Sequence, residues 1–140
     1  VIQDFETNPG AGAFWGEVQT NIHKGLGCLG AVTSSAMRDL NDCAPGFQIL
    51  ARKVVPSHIY NRVIDFSTQV EVFGMVVNHD DIIHADHHGA VVIPREAVEQ
   101  LPTAVDLMIR KEAVQLEAAR DPSFNIQMLR KALTKSAQVK

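Results

Sequence analysis

The stretch that decides the fold is Gly27-Cys28-Leu29-Gly30-Ala31-Val32-Thr33 followed by Ser34-Ser35-Ala36-Met37-Arg38-Asp39-Leu40. Its first half is small and β-branched and reads as a short buried strand. Ser34-Ser35 then reads as the entry to a short helix around Ala36–Cys43, with Arg38 and Asp39 near its start. Upstream, Trp15, Val18, Ile22 and Leu26 recur at three- and four-residue spacing, which predicts an amphipathic helix stopped by Gly25 and Gly27. Ahead of that helix, Val1 to Phe5 is strand-like, and the run from Thr7 to Ala13, with Pro9, Gly10 and Gly12, is a loop. Downstream, Pro45-Gly46 makes a turn and Phe47 to Arg52 forms another apolar strand. Strand, helix, strand, helix, strand is the order of an α/β domain.

Beyond Pro56 the pattern changes. Val70 to Val77, Asp81 to His84 and Ala90 to Ile93 are close-set β runs, separated by the turn-rich Asn78-His79-Asp80 and Asp86-His87-His88-Gly89. They read as a β meander or barrel-like section. Pro94 then marks a helix start, and a long helical pattern covers Glu96 to Arg120, with Pro102 expected to kink its first turn. Asp121-Pro122-Ser123 breaks it, and Phe124 to Lys135 is a last amphipathic segment with Ile126, Leu129 and Leu133 on one face.

With 140 residues, 46% apolar and 21% charged, the chain has the makings of one ordinary globular core. No run approaches the ~20 apolar residues of a membrane span. A net charge of −3 with scattered Lys and Arg gives no electrostatic footprint for nucleic acid. Cys28 and Cys43 lack partners at zinc spacing and read as buried thiols in a reducing cytoplasm. Val1 opens directly on a strand-like run, so an upstream segment is expected.

The chemistry centres on Glu17, Arg38 and Asp39. Twenty residues lie between Glu17 and Arg38, and each end falls at a loop-to-helix junction. Free N–H groups from Gly16 to Gln19 suit a carboxylate, and Arg38 adds a fork that matches it. Asp39 repels such an anion unless it holds a hard cation such as Mg²⁺ that bridges to the ligand. Spacing alone leaves the alternative open that Arg38 and Asp39 are a solvated pair and Glu17 a first-turn acid. His84, Asp86, His87 and His88, with His79 and Asp81 nearby, also have metal-ligand chemistry, with His84 and Asp86 on one strand face, but read equally as a turn between strands. His58 and Tyr60 read as a loop at a pocket rim. No nucleophile elbow surrounds Ser34 or Ser35, and the Gly25, Gly27, Gly30 series precedes a strand, unlike a dinucleotide fingerprint.

The words around these residues narrow the choice. Trp15-Gly16-Glu17, Gly27 to Thr33, Met37-Arg38-Asp39-Leu40, Gly46 to Arg52, Val70-Glu71-Val72-Phe73-Gly74 and His84-Ala85-Asp86-His87-His88-Gly89-Ala90-Val91-Val92-Ile93-Pro94 together resemble the RraA-like family. That family joins the regulator of ribonuclease E activity with class II 4-hydroxy-4-methyl-2-oxoglutarate aldolases. The likeness runs from Val1 to about Leu101. It implies an RraA-like domain over 1–104, lacking its N-terminal segment, and a helical extension over 105–140 packing on it.

The implied fold is α/β of the swivelling β/β/α type, a mixed β-rich core flanked by helices. The implied assembly is a homotrimer with sites between subunits, to which the missing segment contributes an acidic residue. By the same resemblance Gly16, Glu17, Val18 and Gln19 match the loop that binds the pyruvyl part of a 2-oxo acid, with Glu17 where the aldolases carry Asp. Arg38 matches the grip on its carboxylate and keto oxygen, and Asp39 the ligand of Mg²⁺ or Mn²⁺. The implied activity is a metal-dependent lyase that releases pyruvate; the alternative within the family is a non-catalytic protein that regulates a ribonuclease by contact. Ser34-Ser35 replaces the Asp-Gly or Asn-Gly of many members, and His79-Asp80-Asp81 the usual Gly-Asp, so the pocket is expected to differ.

Overall fold

A computed structural model describes all residues, Val1–Lys140. They fall into two compact units, Val1–Arg95 and Glu96–Lys140. The first unit is built from short parallel strands and two hairpins. Strands β1 (Ala13–Trp15), β3 (Ala36–Met37) and β5 (Lys53–Val54) form a parallel sheet in the order β1-β3-β5, and β2 (Gly30–Val32) pairs in parallel with β4 (Gln48–Leu50). Helix α1 (Glu17–Gly25) connects β1 to β2. Antiparallel hairpins follow: β6 (Val70–Val72) with β7 (Met75–Val77), and β8 (Ile82–Asp86) with β9 (Gly89–Ile93). This is an α/β fold.

Trp15, Ala44 and Phe47 form the buried centre, with Phe14, Ala31, Met37 and Ile49 packed around them. The Trp15 ring sits 5.7 Å from Phe47 and 4.7 Å from His23, so the aromatic centre joins β1, α1 and the turn before β4. Val70 to Val77 turns at Phe73-Gly74, both at positive φ, and is a hairpin instead of one strand. Val1 to Phe5 contributes only a bridge from Ile2 to Thr33.

Several expectations fail. No helix forms at Ala36–Cys43. Ala36 is fully buried in β3, the Arg52 N–H donates to the Ser35 carbonyl, and the Arg38 N–H donates to the Trp15 carbonyl, so the ladder claims the backbone that a helix would need. Ser34 and Ser35 are buried links in that extended segment, not a helix cap. Helix α1 starts at Glu17, not Trp15, and buries the other face: Val18, Ile22 and Leu26 are all more than half exposed, whereas Thr20 is fully buried. The Thr20 hydroxyl donates to the Glu17 carbonyl and accepts the Ala44 N–H at 2.9 Å, satisfying that buried amide. Cys28 is exposed instead of buried, and both cysteines are free.

In the second unit a 3₁₀ helix over Arg95–Gln100 precedes α2 (Leu101–Ala119), and α3 (Ile126–Ala137) pairs with α2. The helical pattern from Glu96 therefore begins as 3₁₀. Pro102 stands in the first turn of α2, where its missing N–H costs nothing, so it starts the helix rather than kinking it. Helix α2 runs without a break across positions 104 and 105. Asn125 caps α3 by accepting from the Gln127 and Met128 N–H groups. The Ser136 hydroxyl donates to the Lys111 carbonyl and accepts from the Gln115 side chain. No helix is long and apolar enough to cross a membrane.

Candidate active site

Gly16 is the hinge between β1 and α1, and the first helical bond runs from the Thr20 N–H to its carbonyl. The N–H groups of Glu17, Val18 and Gln19 therefore precede the helical ladder. Gly16 offers no side-chain cap. Asp39 takes that role from a distant part of the chain, its Oδ2 accepting the Glu17 N–H at 3.2 Å. The negative carboxylate thus meets the positive end of the helix dipole.

Arg38 and Asp39 leave the end of β3 together. Asp39 has φ 55°, a left-handed conformation that turns the chain so that the Asp42 and Cys43 N–H groups donate to its carbonyl. Arg38 donates from Nη1 to the Ala13 carbonyl at 2.9 Å, and its Nε lies 3.2 Å from Asp39 Oδ2. These two contacts fix the guanidinium plane, yet leave both Nη2 hydrogens and the second Nη1 hydrogen for a ligand. Only 16% of the Arg38 side chain is exposed, against 37% for Asp39, so the cation is anchored and the carboxylate open.

Gly16 is required by this closeness. A Cβ there would overlap Asp39 Oδ2 and stand 3.0 Å from Arg38 Cγ. The structure thus brings Gly16, Glu17, Arg38 and Asp39 into one corner. The Glu17 side chain and Val18 project outward as exposed groups, while Gln19 Oε1 is buried without a hydrogen-bond partner. The Ala13 carbonyl that anchors Arg38 is not legible in the sequence, since a backbone acceptor carries no residue signature.

The donor set fits a hard divalent cation. Both protein contacts of Asp39 fall on Oδ2, leaving Oδ1 to coordinate, and its exposure leaves room for the waters that Mg²⁺ retains.

Two other features lie apart from this corner. A cavity of about 880 Å³ is lined by the β2 and β4 strands together with Ile83, His84, Asp86 and His87, and includes none of Glu17, Arg38 or Asp39. In the β8–β9 turn the His88 backbone N–H and ring both bond Asp86 and hold its carboxyl below the usual range. His84 and Asp86 do share a strand face, with Nε2 3.8 Å from Oδ2. His58 and Tyr60 are exposed, and His58 forms an isolated parallel bridge with Ala13.

No curated protein matches the chain. A family match covers the whole corner: residues 1–92 fit the RraA-like model, described as Aldolase/RraA. With its helix cap, its anchored arginine and the carboxylate beside it all inside that match, the chain belongs to the RraA-like family.

Proposed function

We propose that this chain is a divalent-metal-dependent lyase of the aldolase or decarboxylase type, acting on a 2-oxo acid such as 4-hydroxy-4-methyl-2-oxoglutarate or oxaloacetate and releasing pyruvate. The observation that carries the reading is the Arg38 guanidinium, anchored on the Ala13 carbonyl with donors to spare, beside a half-open Asp39 at a helix N-terminus. Family membership alone covers both lyases and regulators.

In this reading the 2-oxo acid presents its carboxylate to the free Arg38 donors and to the Val18 and Gln19 N–H groups. Arg38 binds the C1 carboxylate and lies against the keto oxygen, where negative charge grows as the carbon–carbon bond breaks. Its charge is fixed and its donors preorganised, so little reorganisation accompanies that growth. Asp39 would hold Mg²⁺ or Mn²⁺ through Oδ1, and the cation, when bound, supplies Lewis-acid polarisation of the substrate oxygens. Glu17, exposed on the first turn, orders water at the mouth of the site.

The proposal includes a homotrimer that completes the site from a neighbouring subunit. Its support is the apolar surface left open on the first unit: Val18, Ile22 and Leu26 along α1, and Tyr60, Val63, Ile64 and Phe66 in the loop after β5. A reducing, cytoplasmic setting belongs to the same proposal, in keeping with two free cysteines. The open α1 stripe also favours the second reading, a non-catalytic protein that docks on a ribonuclease.

Following pyruvate during incubation of the protein with either substrate and Mg²⁺ separates the two. The lyase reading expects pyruvate above the metal-only background and its loss on chelation. Pyruvate at the background rate, with or without Mg²⁺, overturns it.

A further inference from the structure

The β8–β9 hairpin concentrates nitrogen ligands that the proposed lyase chemistry does not use. Its turn is His87-His88, set between Asp86 and Gly89, which face each other at the end of the ladder. Gly89 has φ 142°, which closes the turn in a backbone region that side chains rarely adopt. The His88 N–H donates to Asp86 Oδ1 at 2.7 Å, so one carboxylate oxygen is spent on holding the turn and the other is aimed at the rings. Asp86 Oδ2 lies 3.2 Å from His88 Nδ1 and 3.8 Å from His84 Nε2. One ligand atom each from Asp86, His87 and His88 falls within 4.8 Å of the others.

Tetrahedral zinc with ligand bonds of about 2.0–2.2 Å needs ligand atoms roughly 3.3 Å apart. The Asp86–His88 pair already stands at that separation, and the remaining atoms need only side-chain rotation on an exposed turn. Two or three imidazoles with one carboxylate select a borderline cation such as Zn²⁺, Ni²⁺ or Cu²⁺ over Mg²⁺. The hard-oxygen corner at Asp39 has the opposite preference. His84, Asp86 and His87 also line the 880 Å³ cavity, so a cation there would sit at its edge.

We propose that Asp86, His87 and His88, with His84 as a fourth ligand, form a binding site for a borderline divalent transition cation on the wall of the cavity between this hairpin and the β2–β4 sheet. The site is independent of the lyase reading.

Zn²⁺ titration of the full chain by calorimetry tests it, in a Cys28→Ser background because the exposed thiol takes zinc on its own. One equivalent is expected. The His87→Ala/His88→Ala double variant should bind at least about tenfold more weakly, since removing even an outer-shell partner of a metal costs about 10–100-fold. In the folded parent protein, the ring resonances of His84, His87 and His88 should shift together on adding Zn²⁺. Equal affinity in the parent and double variant, or zinc that moves none of these rings, overturns the proposal.

Discussion

The corner at Asp39 and the hairpin at Asp86 each set a carboxylate beside basic side chains, but they are assembled in opposite ways. Asp39 is positioned by chain more than twenty residues away: the Glu17 amide, and an Arg38 whose own anchor is the Ala13 carbonyl. Asp86 is positioned by residues within two places of it, on an exposed turn. The first is an achievement of tertiary structure, with a guanidinium held in a nearly buried setting. The second would persist in any chain that closed this hairpin. Long-range assembly suits the corner to its proposed role as a preorganised site for charge that develops during a reaction, whereas local assembly suits the hairpin to the proposed capture of a cation.

The comparison breaks most visibly at Asp39. Asp39→Asn removes the negative charge proposed to hold the cation and weakens the cap on α1, and should lower metal-dependent pyruvate formation by about 10²–10³-fold, the usual cost of an electrostatic stabiliser. Circular dichroism of the variant should match the parent. Arg38→Lys should cost about 10²-fold, because a point charge cannot hold the Ala13 carbonyl and grip a carboxylate together. Full activity in either variant would place the site elsewhere.

Gly16→Ala probes the closeness itself. The added methyl must push Asp39 or Arg38 away, and overpacking of this kind costs about 1–3 kcal/mol, measurable by urea unfolding alongside a fall in kcat/KM. Thr20→Val, nearly isosteric, leaves the buried Ala44 N–H without its acceptor and should cost a similar ~1–3 kcal/mol with less effect on turnover.

The smallest effect is expected at Asp4. Partial burial raises its carboxyl, but the Glu6 and Gly10 amides outweigh that and hold it below the usual value. A depressed carboxyl contributes stability above its unfolded pKa, and that contribution fades as pH falls through the lower folded value. Acid titration of stability should therefore be shallower in Asp4→Asn than in the parent below about pH 4.

Much of this was legible in the chain. The Glu17 and Arg38-Asp39 words located the corner, and the turn residues at Asn78-His79-Asp80 and His87-His88 separated the later strands. The failures share a cause. Periodicity reported that Val18, Ile22 and Leu26 line one face of α1, but could not say that this face is open while Thr20 and His23 meet the core. Nor could local propensity reveal that Ala36-Met37 is held as the middle strand between β1 and β5, because the partners that decide it lie about twenty residues away on either side. Local propensity puts Arg38 and Asp39 on a helix for that reason, whereas the left-handed turn at Asp39 is what lets both reach Gly16.

In the proposed site Asp39 and Arg38 jointly hold a divalent cation and a 2-oxo acid. Electron paramagnetic resonance of Mn²⁺ tests it directly, with oxalate as the mimic of the pyruvate enolate. Oxalate should deepen the loss of the free Mn²⁺ signal in the parent protein and should do so in neither Asp39→Asn nor Arg38→Lys. Oxalate-dependent Mn²⁺ binding that survives both substitutions would contradict the account.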